Sequence, residues 1–325
     1  MVPLPVDGFL PEVVAGSLPL GACRCASGQH SLRNMQNQAT RSPSSRRDSG
    51  TATSEFDADT AVRAIGSGWF AARITDRWNA LGGRPNGGYL LALALRAMAA
   101  EVPAASPLVA SATYLQAARA GDAELSVTTL RAGRHLTTVN ASLVQGNRHL
   151  MHAVATFAGH DAPPPTGSDG EPPGGAVPPP EDCAGPLDGV RLPGVSITDR
   201  IDYRFPEVPG WWGGRPSGNA SLDVWMRFRD GREADRWALA LLVDAAPPAV
   251  LELGASTSTT LQMTVHLRAP ATPGWVLARI ATRHVIGGYH EEDVEIWDRA
   301  GRLVAQSRQL AVLPDGFPPE PPRDR

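Results

Sequence analysis

LSVTTLRAGRHLTTVNASLVQGNRHLMHAVATF, residues 125–157, reads as strand, turn, strand, turn, strand. Its segments LSVTTLRAG, HLTTVNASLVQG and HLMHAVATF alternate apolar and polar residues at period two and are bounded by Gly and Asn. That is the pattern of an antiparallel meander with one face on a core. Upstream lies GGYLLALALRAMAAEV, residues 87–102, apolar on most faces and followed by Pro103. Such a segment is a buried helix that the proline stops.

The same order returns later in the chain. WVLARIATRHV, EEDVEIWD and LVAQSRQLAVL, between residues 275 and 313, repeat the three strands, and EADRWALALLVDAA, residues 233–246, supplies a helical segment interrupted by Pro247 and Pro248. Gly121 and Gly274 stand 153 positions apart, as do Leu150 and Leu303, so the repeat reads as gap-free between those points. One apolar helix followed by a long antiparallel meander, twice over, is an α+β pattern with each helix wrapped by sheet.

Around these modules the composition changes. Residues 1–55 read as a disordered extension, 56–160 as the first module, 161–196 as a Pro/Gly-rich linker, 197–314 as the second module and 315–325 as a Pro-rich tail. The linker, beginning HDAPPPTGSDGEPPGG, favours extended polyproline II and reads as a semi-rigid spacer. Leu20–Gly21–Ala22–Cys23 resembles a lipoprotein signal, but no basic residue precedes it and Pro11, Glu12 and Pro19 break the apolar stretch, so export is not expected. Met35 is an alternative start.

The 325 residues, 42% of them apolar, suffice for two cores, and a net charge of -3 offers no field to attract nucleic acid or an anionic membrane. No apolar run reaches the length of about 18 residues that a membrane helix needs, so a cytoplasmic protein without membrane partners is expected. All 30 basic residues are arginine. Schiff-base lysine chemistry, a pyridoxal phosphate anchor and a Walker A lysine are therefore excluded. Cys23, Cys25 and Cys183 have neither the spacing nor the histidine partners of a metal site, and no cofactor is expected.

The order of elements resembles the hotdog fold, and PNGGYLLALALRA, LRAGRHLTTVNASLVQ, LLVDAAPPAVLELG, TTLQMTVHLRAP and GRLVAQSRQLAVLP resemble the TesB-like acyl-CoA thioesterase II family of double-hotdog enzymes. The likeness spans nearly all of residues 56–314. It implies an acyl-CoA substrate, a homodimer of double hotdogs, and an Asp, a Thr and a Gln that hold water for attack on the thioester. By motif these are Asp244 in LLVDAAPP, Thr260 in STTLQMTV and Gln309 in QSRQLAV. Thr257, Ser258 and Thr259 precede Thr260, so a slip of one register would select a neighbour. Some relatives carry an acid two positions after that Thr, where this chain has Gln262.

Each residue also has a plainer reading. Asp244 lies in an apolar segment, where a carboxylate needs a partner, and it would serve as general base toward water or as a cap on the turn at Pro247 and Pro248. Gln309 can accept from water and donate to a carboxylate at once, or simply face solvent; a shift of 153 sets it against Thr156 in the first half. Thr260 would bond the same water or be an ordinary strand residue. Asn86, Gly87 and Gly88 open the first buried helix, where free amides would polarise a thioester carbonyl or glycine would only permit close packing. Trp211 and Trp212 would line an acyl channel or cover a seam, and Arg131, Arg134 and Arg268 are candidates for the CoA phosphates. A hydratase would need an Asp and His pair at the start of the buried helix, and NGGYLLALA supplies no His. A non-catalytic acyl-CoA-binding module is the remaining alternative.

Overall fold

The computed structural model describes residues 54–102, 105–159 and 177–313. The predicted extension 1–55, apart from its last two residues, lies outside them with Cys23, Cys25 and Met35, as do the start of the linker and the Pro-rich tail. The first half contains α1 (Glu55–Asp59), β1 (Val62–Gly66), β2 (Trp69–Ile74), the short pair β3 (Asn79–Ala80) and β4 (Arg84–Pro85), and α2 (Gly87–Glu101). Its long strands follow: β5 (Ala105–Tyr114), β6 (Gly121–Ala132), β7 (Leu136–Gln145) and β8 (Arg148–Gly159). The second half has β9 (Ile201–Arg204), β10 (Ser221–Phe228), α3 (Arg236–Leu242), β11 (Thr259–Leu267), β12 (Val276–Ala281), β13 (Val285–Ile286), β14 (Tyr289–Asp298) and β15 (Leu303–Val312).

Thirteen of these strands form one antiparallel sheet in the order β1-β2-β6-β7-β8-β5-β11-β15-β14-β12-β10-β9, with β13 on β14. The halves join at β5 and β11, each of which would otherwise present an unpaired edge. At the middle of that seam Ser111 pairs with Thr264, their hydroxyls 2.9 Å apart. These two residues are 153 positions apart, so the pseudo-two-fold of the repeat passes between them. This is the tandem hotdog arrangement that the resemblance implies, and the α+β pattern that the alternation and the two helices imply.

The two modules do not keep the gap-free shift of 153 through their last strand. β7 and β8 are joined across a two-residue turn at Gly146–Asn147, whereas β14 and β15 are joined across three residues, Arg299–Gly301, because the Asp298 carboxylate accepts from the Ala300 and Arg302 amides. Ladder partners and burial therefore align β8 with β15 at a shift of 154: Met151, Ala153, Ala155 and Phe157 correspond to Ala305, Ser307, Gln309 and Ala311. Gln309 stands opposite Ala155, not Thr156. In a strand a slip of one residue exchanges the faces.

Helix α2 is buried from Gly88 through Leu95 and again at Ala97 and Met98, packing on β5 to β8 and on α3. Asn86 caps it, its side-chain oxygen accepting from the Tyr89 amide. α3 is shorter, capped by Asp235 and ended before Pro247. Of the stretch expected to be a spacer, residues 177–196 are described, and they pack closely. Pro180 and Leu187 are buried, the Trp225 indole donates to the Pro178 carbonyl, and Ser196 bonds Asn79 and Asp76 of the first half. No helix among the described residues is long and apolar enough to cross a membrane.

Candidate active site

Asp244 follows the last turn of α3, and its carboxylate reaches the other half of the molecule. Gly88 N–H, at the N-terminus of α2, donates to Asp244 Oδ2 at 2.9 Å, and the Asn86 side-chain amide donates to the Asp244 carbonyl at 2.6 Å. The 3-10 turn after Pro248 has no side-chain cap, so the cap reading at that turn fails. Burial pushes the Asp244 carboxyl up to about 6, against the opposing pull of the Gly88, Asn86 and Gly87 amides. A carboxylate held there is a base poised near neutral pH.

Gly88 is required by geometry. A Cβ on it would stand 2.6 Å from the Ala240 carbonyl oxygen, 2.9 Å from that of Leu241 and 3.0 Å from Asp244 Cβ. A Cβ on Gly87 would meet the Tyr114 ring carbon Cζ and hydroxyl at 3.0 Å and Asp244 Oδ2 at 3.1 Å. The two glycines thus let α2 approach α3, and the Gly88 amide is committed to the Asp244 carboxylate rather than to a substrate oxygen.

Thr260 and Gln309 meet across β11 and β15. Thr260 Oγ1 donates to Gln309 Oε1 at 2.7 Å, and Gln309 Nε2 donates to Glu292 Oε1 at 2.7 Å, while Glu292 Oε2 accepts from the Ala249 amide at 2.8 Å. The carboxylate, which only accepts, fixes which way the Gln309 amide points. Glu292 is fully enclosed, and burial, with a further push from the Asp244 charge, raises its carboxyl to about 7. Sequence reasoning missed it. The available signal was the strand HEEDVEIWD, in which His290, Glu292, Val294 and Ile296 share the inward phase. An acid on that face needs a partner.

Asn86, Gly87, Asp244, Thr260 and Gln309 all border one cavity of about 510 Å³, together with Glu292 and Tyr114; Gly88 stands behind it, holding Asp244. Leu90, Leu187, Ile197, Trp211 and Trp212 make its apolar wall, so the two tryptophans border this cavity and the packed stretch before β9 forms part of it. No histidine borders the cavity among the described residues, so the pair a hydratase needs is not assembled. Arg131, Arg134 and Arg268 are elsewhere, whereas Arg84 is at the rim, exposed and without an ion pair among the described residues. A larger cleft of about 1070 Å³ lies over the outer face of the second half, lined by Arg268 and by paired charges such as Asp223 with Arg279, and holds none of Asn86, Gly87, Asp244, Thr260, Glu292 and Gln309. Among the described residues no three His, Cys, Asp or Glu are grouped to hold a metal ion.

Two family models match the chain: the acyl-CoA thioesterase N-terminal domain over residues 74–158 and the acyl-CoA thioesterase C-terminal domain over 180–313, together more than half of it. The chain belongs to the acyl-CoA thioesterase family. It is a thioester hydrolase. Among solved structures it is similar to a candidate thioesterase II of Thermobifida fusca YX, 30% identical, covering 80% of this chain and 97% of that one with a TM-score of 0.69. A hot dog fold protein of unknown function from Alicyclobacillus acidocaldarius, 22% identical with a TM-score of 0.72, covers 81% of this chain and 98% of its own and shares the fold. An uncharacterized protein of Mycobacterium tuberculosis is 28% identical over 276 residues, 75% of this chain and 91% of the relative.

In this acyl-CoA thioesterase the two halves do not carry equal sites. The ladder registers set Thr260, Glu292 and Gln309 opposite Pro107, Val139 and Ala155 of the first half. All three counterparts are apolar, so the hydrogen-bonded chain of the thioesterase exists once.

Proposed function

We propose that the protein hydrolyses an acyl-CoA to a free carboxylic acid and CoA with a water that Asp244 deprotonates. The observation that carries this reading is the meeting of a buried, near-neutral Asp244 with the Thr260–Gln309–Glu292 chain at one apolar cavity. Thr260 and Gln309 hold the water, its proton passes to Asp244, and its oxygen attacks the thioester carbon. The apolar wall takes the acyl chain, and Arg84 at the rim meets the phosphates of CoA. A thiol-release assay over acyl-CoA esters from acetyl to palmitoyl tests it: turnover of esters with apolar chains is expected, and absence of thiol release from every ester by folded protein overturns it.

Two variants probe the outer parts of this arrangement. Arg84→Ala raises KM for acyl-CoA about tenfold and leaves kcat near wild type, as expected for a contact made equally in ground and transition states. Glu292→Gln cannot accept from both the Ala249 and the Gln309 amides, so the Gln309 side chain loses its fixed orientation. Turnover should fall about tenfold, the size of one hydrogen bond to a charged group. Activity in the wild type rises as the carboxylate pair ionises between about 6 and 7, and the variant should lose the upper of those two steps.

A further inference from the structure

The site supplies a base and holders for water, but the thioester oxygen also gathers negative charge when water attacks, and a donor must meet it. The donors on the cavity wall are largely committed. Gly88 N–H serves Asp244, Asn86 Nδ2 serves the Asp244 carbonyl, Thr260 O–H serves Gln309 and Tyr203 O–H serves the Ala245 carbonyl. Among the described residues two enclosed side-chain donors on the wall have no partner, the Tyr114 hydroxyl and the Trp211 indole N–H. Leaving a hydroxyl buried and unbonded is costly, so such a group is a candidate for meeting a ligand atom.

Tyr114 is the better placed of the two. It ends β5 at the seam between the halves, and its hydroxyl and Asp244 Oδ2 both border the small space left by the missing Cβ of Gly87, at 3.0 and 3.1 Å. A carbonyl carbon attacked by the water that Asp244 deprotonates lies next to that base, and therefore within reach of the phenol. Trp211 sits on the turn Gly210–Gly213, whose backbone is tied to Glu252 rather than to Asp244.

We infer that the Tyr114 phenol donates a hydrogen bond to the thioester carbonyl oxygen as it becomes an oxyanion, a catalytic role that rests on the hydrolysis at Asp244 proposed above. Water oxygen forms the new bond to carbon, its proton goes to Asp244, and the carbonyl electron pair moves onto the oxygen facing Tyr114. When that pair returns, the carbon–sulfur bond breaks and CoA leaves as the thiolate. Burial and the Asp244 charge hold the phenol well above its ordinary range, so it stays protonated and able to donate throughout the working pH range.

The test is Tyr114→Phe, which keeps the ring and removes the donor. With an acyl-CoA that the wild type turns over, kcat should fall about 10²-fold with KM nearly unchanged, the loss typical of one oxyanion donor. The acid limb of the pH profile should stay where the wild type has it, between about 6 and 7, and Tm should hold or rise, since the hydroxyl removed has no partner to lose. A kcat within about threefold of wild type overturns the assignment. So does a displaced acid limb, which would make Tyr114 a positioning residue for Asp244, and so does a loss carried by Trp211→Phe instead. Failure of the underlying reading shows separately, as full turnover in Asp244→Asn; an inactive Asp244→Asn beside a fully active Tyr114→Phe sinks only the oxyanion role.

Discussion

Asp244→Asn should lower kcat for acyl-CoA hydrolysis by about 10²- to 10⁴-fold, the range set by removing a general base. The same substitution should stabilise the fold at neutral and alkaline pH. The Asp244 carboxyl titrates at about 6 when folded against an ordinary value of 3.8, so its share of stability is full below 3.8 and is lost as pH rises through 6. Asparagine keeps an oxygen to accept from Gly88 and never takes the charge. Melting curves at pH 8 should show the variant more stable by about 3 kcal/mol, or some 6 °C, and the curves should converge near pH 4. A variant that loses activity and stability together at pH 8 would instead mark Asp244 as structural.

Gly88→Ala should be among the damaging small substitutions in the molecule. The added methyl would press on the carbonyl oxygens of Ala240 and Leu241, both backbone atoms of α3 that cannot swing aside, so α2 and α3 must separate. Overpacking of this kind costs about 3 kcal/mol, seen as a fall of about 6–10 °C in Tm. Because the Gly88 amide carries the Asp244 carboxylate, turnover by the protein that remains folded should fall as well. Gly82→Ala is the internal comparison: its Cβ would meet nothing within 4 Å, and only its positive φ of 86° opposes it. A loss for Gly88→Ala no larger than that of the comparison would show that the helices can separate freely.

Alternation at period two was enough to place the long strands, and the two apolar helical segments were enough to imply a wrapped sheet in each half. Asp244, Thr260 and Gln309 were reached through motif likeness, since each taken singly has an unremarkable explanation as a cap, a strand former or a surface amide. Glu292 was within reach of periodicity, because it occupies the inward phase of its own strand. Tyr114 was not, because an aromatic residue at the end of an alternating strand reads as core. Residues 177–196 have no period at all, and proline-rich composition hides the burial of Leu187 and the share this stretch takes in the cavity wall. The Thr156 pairing failed for a geometric reason: one extra residue in the Arg299–Gly301 turn left leucines in apparent register while it moved the ladder by one.

The seam at Ser111 and Thr264 has a consequence for how such a molecule can change. Two identical hotdog chains related by a true two-fold receive every substitution twice, so a glutamine at one mouth means a glutamine at the other. Joined in one chain, the halves inherit separately. One can seal its mouth with Pro107, Val139 and Ala155 while its twin keeps a polar lining, and the sealed half is then free to lend its helix end to the open one. The covalent link between the halves is thus what permits an asymmetric pocket in a body built on symmetry.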